Sequence, residues 1–102
     1  TKDTKNKEIL KSYLKSFSAE ISTSLIQKRL YGRTLTLKIK YDDFTVRTRS
    51  KTLIEEINSQ DMIYEVALTL LDDIKLSRKV RLIGLTISNL STLGMEQLSL
   101  FD

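Results

Sequence analysis

The sequence predicts an α+β domain in which two helices cover one face of a mostly antiparallel sheet of three or four strands, in the order α-β-β-α-β. Three observations predict it. Apolar residues recur at intervals of three and four through the first thirty residues and again over 60–75. Residues 34–53 instead alternate apolar and polar with period two, and a run rich in β-branched residues follows at 80–90. Helical stripes and a half-dry sheet bury each other most economically as two layers.

The first helix is expected from Lys5 to about Leu30. Ile9, Leu10, Tyr13, Leu14, Phe17, Ile21, Leu25 and Leu30 make its stripe, with Asp3 or Thr4 as N-cap and Gly32 as the stop. Thr34 to Lys40 is a strand: Leu35, Leu37 and Ile39 point one way, and Thr34, Thr36, Lys38 and Lys40 the other. Tyr41-Asp42-Asp43 reads as a turn, the two carboxylates suiting local backbone hydrogen bonds. A second strand runs from Phe44 to about Leu53, with Phe44, Val46, Thr48 and Ser50 on one face and Arg47, Arg49 and Lys51 on the other. The hairpin is expected to bring the two basic faces together as a cluster of Lys38, Lys40, Arg47, Arg49 and Lys51.

Residues 54–60 connect to a second helix, capped by Ser59 and running to about Lys75. Ile63, Val66, Ala67, Leu70, Leu71 and Ile74 form its buried face. The last strand is Val80 to about Leu90. Gly84 interrupts it, marking either a close approach of another backbone or ligand, or a bulge. Residues 1–90 form the domain, and residues 91–102 read as a flexible tail.

With 102 residues there is room for one domain. The chain has no His and no Cys, which excludes Cys/His zinc sites, disulfides and Ser–His–Asp or Cys–His catalysis. No apolar run is long enough for a membrane span, and the lysine-rich start does not resemble a signal peptide. The first residue is Thr1, which suggests a piece of a longer protein. The net charge of +4 is uneven: residues 1–32 and 33–51 each carry +4, and the remainder −4. Six cations within nineteen residues are the footprint of a phosphate-binding face, with a solvated surface as the alternative.

The run from Gly32 to Phe44 (GRTLTLKIKYDDF), then Thr48 to Leu53 (TRSKTL), resembles the little-finger domain of Y-family translesion DNA polymerases of the bacterial DNA polymerase IV type. Val80-Arg81-Leu82-Ile83-Gly84-Leu85 with Ser88-Asn89-Leu90 is similar to that family's last strand, and Gln97-Leu98-Ser99-Leu100-Phe101 to its clamp-binding peptide. One departure stands out. The family's domain opens with a strand before the first helix, and the polar stretch Thr1 to Lys7 shows none. A sheet lacking it exposes an edge that invites self-association.

The resemblance implies a non-catalytic DNA-binding domain of an error-prone translesion polymerase. Its candidate duplex contacts are Arg33, Thr36, Lys38, Lys40, Arg47, Thr48, Arg49, Ser50, Lys51, Thr52 and Gly84, gripping the phosphates of primer-template DNA in the major groove without reading sequence. It implies docking to a bacterial beta sliding clamp, with Gln97 as polar anchor and Leu98, Leu100 and Phe101 as apolar anchors around Ser99. It implies no cofactor in this fragment, Mg2+ belonging to the full-length enzyme, and a cytoplasmic, nucleoid-associated location. Catalytic and metal-binding residues are expected to be absent. Asp42 and Asp43 suit a turn, and Asp72 and Asp73 a solvated helix surface. The alternative function is a small regulatory or structural domain whose basic face meets an acidic protein.

Overall fold

The computed structural model describes residues 4–92. Helix α1 (Lys7–Gln27) is followed by strands β1 (Gly32–Tyr41) and β2 (Val46–Ile57), helix α2 (Gln60–Asp72) and strand β3 (Val80–Ser88). The sheet order is β2-β1-β3 and both pairings are antiparallel. The α-β-β-α-β order and the α+β class read from periodicity are those observed, with three strands.

β1 lies in the middle because it alone alternates cleanly. Leu35, Leu37 and Ile39 are fully buried under the helices. They meet Leu10 and Leu14 of α1, Ile63, Ala67, Leu70 and Leu71 of α2, and Leu85 of β3 in one core. Helix α1 packs on β3, and α2 on β1 and the far end of β2. The α1 stripe differs in detail from its apolar reading. Ile9 is 42% exposed, whereas Ser18 and Ser22 are buried, each satisfied by donating its hydroxyl to a carbonyl, Leu14 at 2.7 Å and Asn58 at 2.7 Å. Small hydroxyls at these positions let the helices approach without leaving a polar group unpaired.

Both ends of α1 are shorter than expected. Asn6 is the N-cap, its side-chain oxygen accepting from the Glu8 N–H at 2.9 Å, and not Asp3 or Thr4. The helix stops at Lys28 because Arg29 adopts φ 57° and the Leu30 N–H reaches back to the Leu25 carbonyl at 2.8 Å. That 6→1 bond is a Schellman-type ending supplied by a non-glycine residue. Gly32 instead permits a close approach, since a Cβ there would sit 2.5 Å from Ile87 of the neighbouring strand. It starts β1 where the Ile87 side chain occupies the space a Cβ would need. Ser59 caps α2 as expected, accepting from Met62 N–H.

Thr4 pairs with Val80 through two backbone bonds of 3.0 and 2.7 Å on the outer edge of β3. At the other end, Tyr31 and Ser91 exchange bonds of 2.8 and 2.9 Å, so pairing continues one residue beyond the boundary drawn at residue 90. No helix among the described residues is long and apolar enough to cross a membrane.

Candidate nucleic-acid interface

The hairpin decides which cations share a face. Tyr41 N–H donates to Thr45 O at 2.8 Å and Phe44 N–H to Tyr41 O at 2.9 Å, closing a tight turn with Phe44 at φ 70°. Asp43 fixes it, accepting from the Thr45 hydroxyl at 2.6 Å and N–H at 3.0 Å. These bonds, with Arg78 beyond them, hold the Asp43 carboxyl below its ordinary pKa. Asp42 accepts from Arg78 at 2.8 Å. Both aspartates therefore serve the turn, as their adjacency suggested, and Asp72 pairs with Lys7 at 2.9 Å on the surface.

The first paired residues outside this turn are Lys40 and Val46. Five residues separate them, so even-numbered residues face even-numbered ones: Lys38 meets Thr48 and Thr36 meets Ser50. Arg47, Arg49 and Lys51 instead lie opposite Ile39, Leu37 and Leu35, on the helix side. The expected single cluster of Lys38, Lys40, Arg47, Arg49 and Lys51 is thus corrected to two groups on opposite faces. An odd loop preserves residue parity across the hairpin, and parity alone sets the face.

The helix-side cations nevertheless stay wet. From Val46 to Thr52 every residue of β2 is exposed, because the helices sit over β1 and β3 and leave that part of β2 projecting beyond them. Arg47 and Arg49 curl onto the edge, donating to the Val46 carbonyl at 3.3 Å and the Thr48 carbonyl at 3.0 Å. Antiparallel residues turn both backbone groups alternately toward and away from their partner. The Val46 and Thr48 carbonyls face outward, so the Thr48 and Ser50 N–H groups do too. The β2 edge therefore carries outward N–H groups between a cation row on one side and hydroxyls on the other.

The open face of the sheet holds Thr34, Thr36, Lys38 and Lys40 of β1, Thr48, Ser50 and Thr52 of β2, and Gly84, Thr86 and Ser88 of β3. Its hydroxyls are ordered in pairs, Thr34 with Thr52 and Thr36 with Ser50, each at 2.9 Å. Gly84 faces Lys38 in an unbroken register, which rules out a bulge there. A Cβ on it would meet nothing within 4 Å, so the space above it is open to a ligand. Arg33 stands apart at the start of β1 and donates to the Leu53 carbonyl at 3.1 Å. Thr86, Ser88 and Asn89, which donates to Thr34, belong to the face and were missed. Alternation through β3 identifies the first two, while Asn89 enters only through its positive φ of 56°.

Among the described residues, the ion pairs join Lys7 to Asp72, Lys11 to Glu8, and Arg78 to Asp42 and Asp43. None involves Lys38, Lys40, Arg47, Arg49 or Lys51. No group of three or more Asp, Glu, His or Cys residues among them is placed to hold a metal. Gln97, Leu98, Ser99, Leu100 and Phe101 lie outside the described residues.

Residues 1–100 match the family described as the impB/mucB/samB family C-terminal domain. DNA polymerase IV of Listeria monocytogenes serotype 4a (strain HCC23) is 39% identical over 93 residues, covering 90% of this chain and 26% of that protein. DNA polymerase IV of Leptospira interrogans serovar Lai (strain 56601) is 39% identical over 84 residues, covering 74% of this chain and 23% of that protein. A solved post-insertion binary complex of Dbh DNA polymerase has the same fold, with a TM-score of 0.77 and 23% identity over 89% of this chain and 26% of that one. The chain thus spans 26% or less of these proteins' length. With its two helices on one face of the β2-β1-β3 sheet, the chain belongs to the impB/mucB/samB C-terminal domain family and is a little-finger domain of a Y-family DNA polymerase.

Proposed function

We propose that this domain holds duplex DNA for a translesion polymerase by setting the β1–β2 hairpin against the phosphates of a major groove. The observation that carries the reading is the two-sided charge of the β1–β2 hairpin, with Lys38 and Lys40 on one face, Arg47, Arg49 and Lys51 on the other, and none of them in an ion pair among the described residues. A major groove about 12 Å wide admits a two-stranded β-ribbon. A ribbon there meets a phosphate wall on each side, so cations on opposite faces suit it better than one basic face. Lys38 and Lys40 then serve one strand, and Arg47, Arg49 and Lys51 the other. The outward N–H groups of Thr48 and Ser50, with the hydroxyls of Thr36, Ser50 and Thr52, complete the phosphate contacts. Such contacts position DNA and carry no base information, which fits copying of damaged templates of any sequence. Nucleotide transfer, with its magnesium, belongs on this reading to the rest of the polymerase, acting at the nucleoid.

The reading includes clamp docking by Gln97, Leu98, Ser99, Leu100 and Phe101. Its support is the sequence pattern: Gln97 followed by three large apolar residues within four positions, similar to the clamp-binding peptide of the resembled family. Leu100 and Phe101 would each contribute about 1.5–3 kcal/mol on burial in a partner's cleft.

Titration of labelled duplex and of purified bacterial clamp, with and without residues 97–102, tests both parts. Duplex binding is expected to be indifferent to sequence and to the deletion, with log K falling against log salt at a slope of about −3 to −5. Clamp binding is expected to vanish with the deletion and to respond weakly to salt. A flat salt response, or displacement of an acidic protein but not of DNA, overturns the duplex grip.

Gly84 allows a check that separates binding from stability. Valine there has open space and better strand propensity, so Gly84→Val is expected to raise stability by about 0.5–1 kcal/mol. The same side chain stands where DNA approaches Lys38, so duplex affinity is expected to fall. Denaturant titration and anisotropy on one sample read both, and unchanged affinity places the DNA elsewhere.

A further inference from the structure

The hairpin tip carries a residue that neither the fold nor the phosphate grip requires. Phe44 occupies the left-handed region at φ 70°, a turn position that glycine or asparagine fills with least strain. Burial does not hold it there, since it is 59% exposed. Two cations lie over its ring, with Lys40 Nζ 5.4 Å and Arg81 Cζ 4.9 Å from the centroid. Val46 and Leu82, the two cross-strand neighbours of Lys40, are 41% and 52% exposed on the same open face. The sheet face is therefore divided. Towards Thr34 it is paired hydroxyls; at the tip it is an aromatic ring with two aliphatic neighbours and two cations.

We infer that this tip is a stacking platform for an unpaired nucleobase, so that the domain takes single-stranded polynucleotide at the turn as well as duplex along the hairpin. A ring covered by cations that can move off it offers a base its π-face and offers the flanking phosphates their counter-charges, the combination used by sequence-tolerant single-strand binders. Bases inside a duplex have both faces covered by their neighbours, so a platform of this kind serves nucleotides beyond the paired region. Lys40 and Arg81 exchange the ring for phosphate oxygens when the base arrives. The inference rests on the proposed polynucleotide binding but adds a base-dependent contact to a grip that is otherwise indifferent to bases.

The test compares a ten-nucleotide deoxyadenosine strand with an abasic strand of the same length, which has the same phosphates and no bases. The 102-residue chain is expected to bind the first about tenfold more tightly, equivalent to about 1.4 kcal/mol. Phe44→Gly is expected to bring the deoxyadenosine strand down to the abasic level, leaving abasic and duplex binding and the melting temperature no lower. Phe44→Trp keeps the platform and places a fluorophore in a chain that has no Trp. Its emission is expected to be quenched by the deoxyadenosine strand and not by the abasic one. Equal affinity of the parent chain for the two strands, or unquenched emission from the Phe44→Trp chain, overturns the platform while leaving the phosphate grip standing. Failure of both strands and of duplex to bind removes the polynucleotide reading beneath it. Self-association that disappears in Phe44→Gly, with no base preference in the parent, makes the tip a contact between copies and overturns the inference.

Discussion

Replacing Arg47, Arg49 and Lys51 together with glutamine is expected to weaken duplex binding about 500-fold near 0.1 M salt and to flatten the slope of log K against log salt by about 2.7, as loss of three phosphate contacts requires. All three side chains are exposed and make no ion pair among the described residues. Their removal is therefore expected to change folding stability by no more than about 0.5 kcal/mol. The variant distinguishes the ribbon from a flat-sheet arrangement. If DNA lay only on the open face, the helix-side cations would sit a sheet's thickness from the phosphates, and removing them would leave the slope nearly unchanged. Glutamine at Lys38 and Lys40 supplies the comparison, with an expected loss of about 60-fold for two contacts. Similar losses per residue on both faces support a hairpin held between two phosphate walls. A loss confined to the Lys38 and Lys40 variant returns the DNA to the open face. Anisotropy at three or more salt concentrations measures both quantities.

That contrast between faces marks how far the sequence could be read. Periodicity located all five elements, because each makes a face that must be buried: Leu35, Leu37 and Ile39 at period two, and Ile63, Ala67, Leu70 and Leu71 at helical spacing. Residue types pointed to β1 and β2 as the candidate interface strands, since six cations fall from Arg33 to Lys51. The relation between strands was harder. It depends on whether the loop is odd or even, which the Asp42 and Asp43 turn settles through bonds to Thr45 and Arg78 that composition does not display. Helix ends were obscured for a related reason. Arg29 closes α1 in a conformation usually given to glycine, so the nearest glycine was a misleading signal, and Gly32 is needed for its contact with Ile87. The wetness of Arg47 and Arg49 follows from where the helices stop covering the sheet, a tertiary fact with no local signature.

Leu37→Ala is expected to be the most damaging single truncation of the fold. Leu37 is fully buried in the central strand, between Arg49 on β2 and Leu85 on β3, beneath the helices. Truncating a buried leucine in such a place costs about 2–5 kcal/mol, because the lost transfer energy is joined by a cavity that the fixed backbone of a middle strand cannot close. Domains of this size have about 5–15 kcal/mol to lose. The melting temperature is expected to fall by about 4–8 °C for each kcal/mol. Leu82→Ala, on the open face and 52% exposed, is expected to stay within about 0.5 kcal/mol of the parent. Binding follows from the same strand. β1 turns Leu35, Leu37 and Ile39 inward and Thr36, Lys38 and Lys40 outward, so the cations hold their positions only while the leucines hold theirs. Duplex affinity of the Leu37→Ala chain should match the parent well below its melting temperature and collapse as it unfolds, whereas the charge variants lose affinity at every temperature. Denaturant midpoints and binding measured over one temperature series distinguish the two. A Leu37→Ala chain within about 1 kcal/mol of the parent would mean that β1 is not the buried centre of the sheet, since well-packed cores do not tolerate that loss.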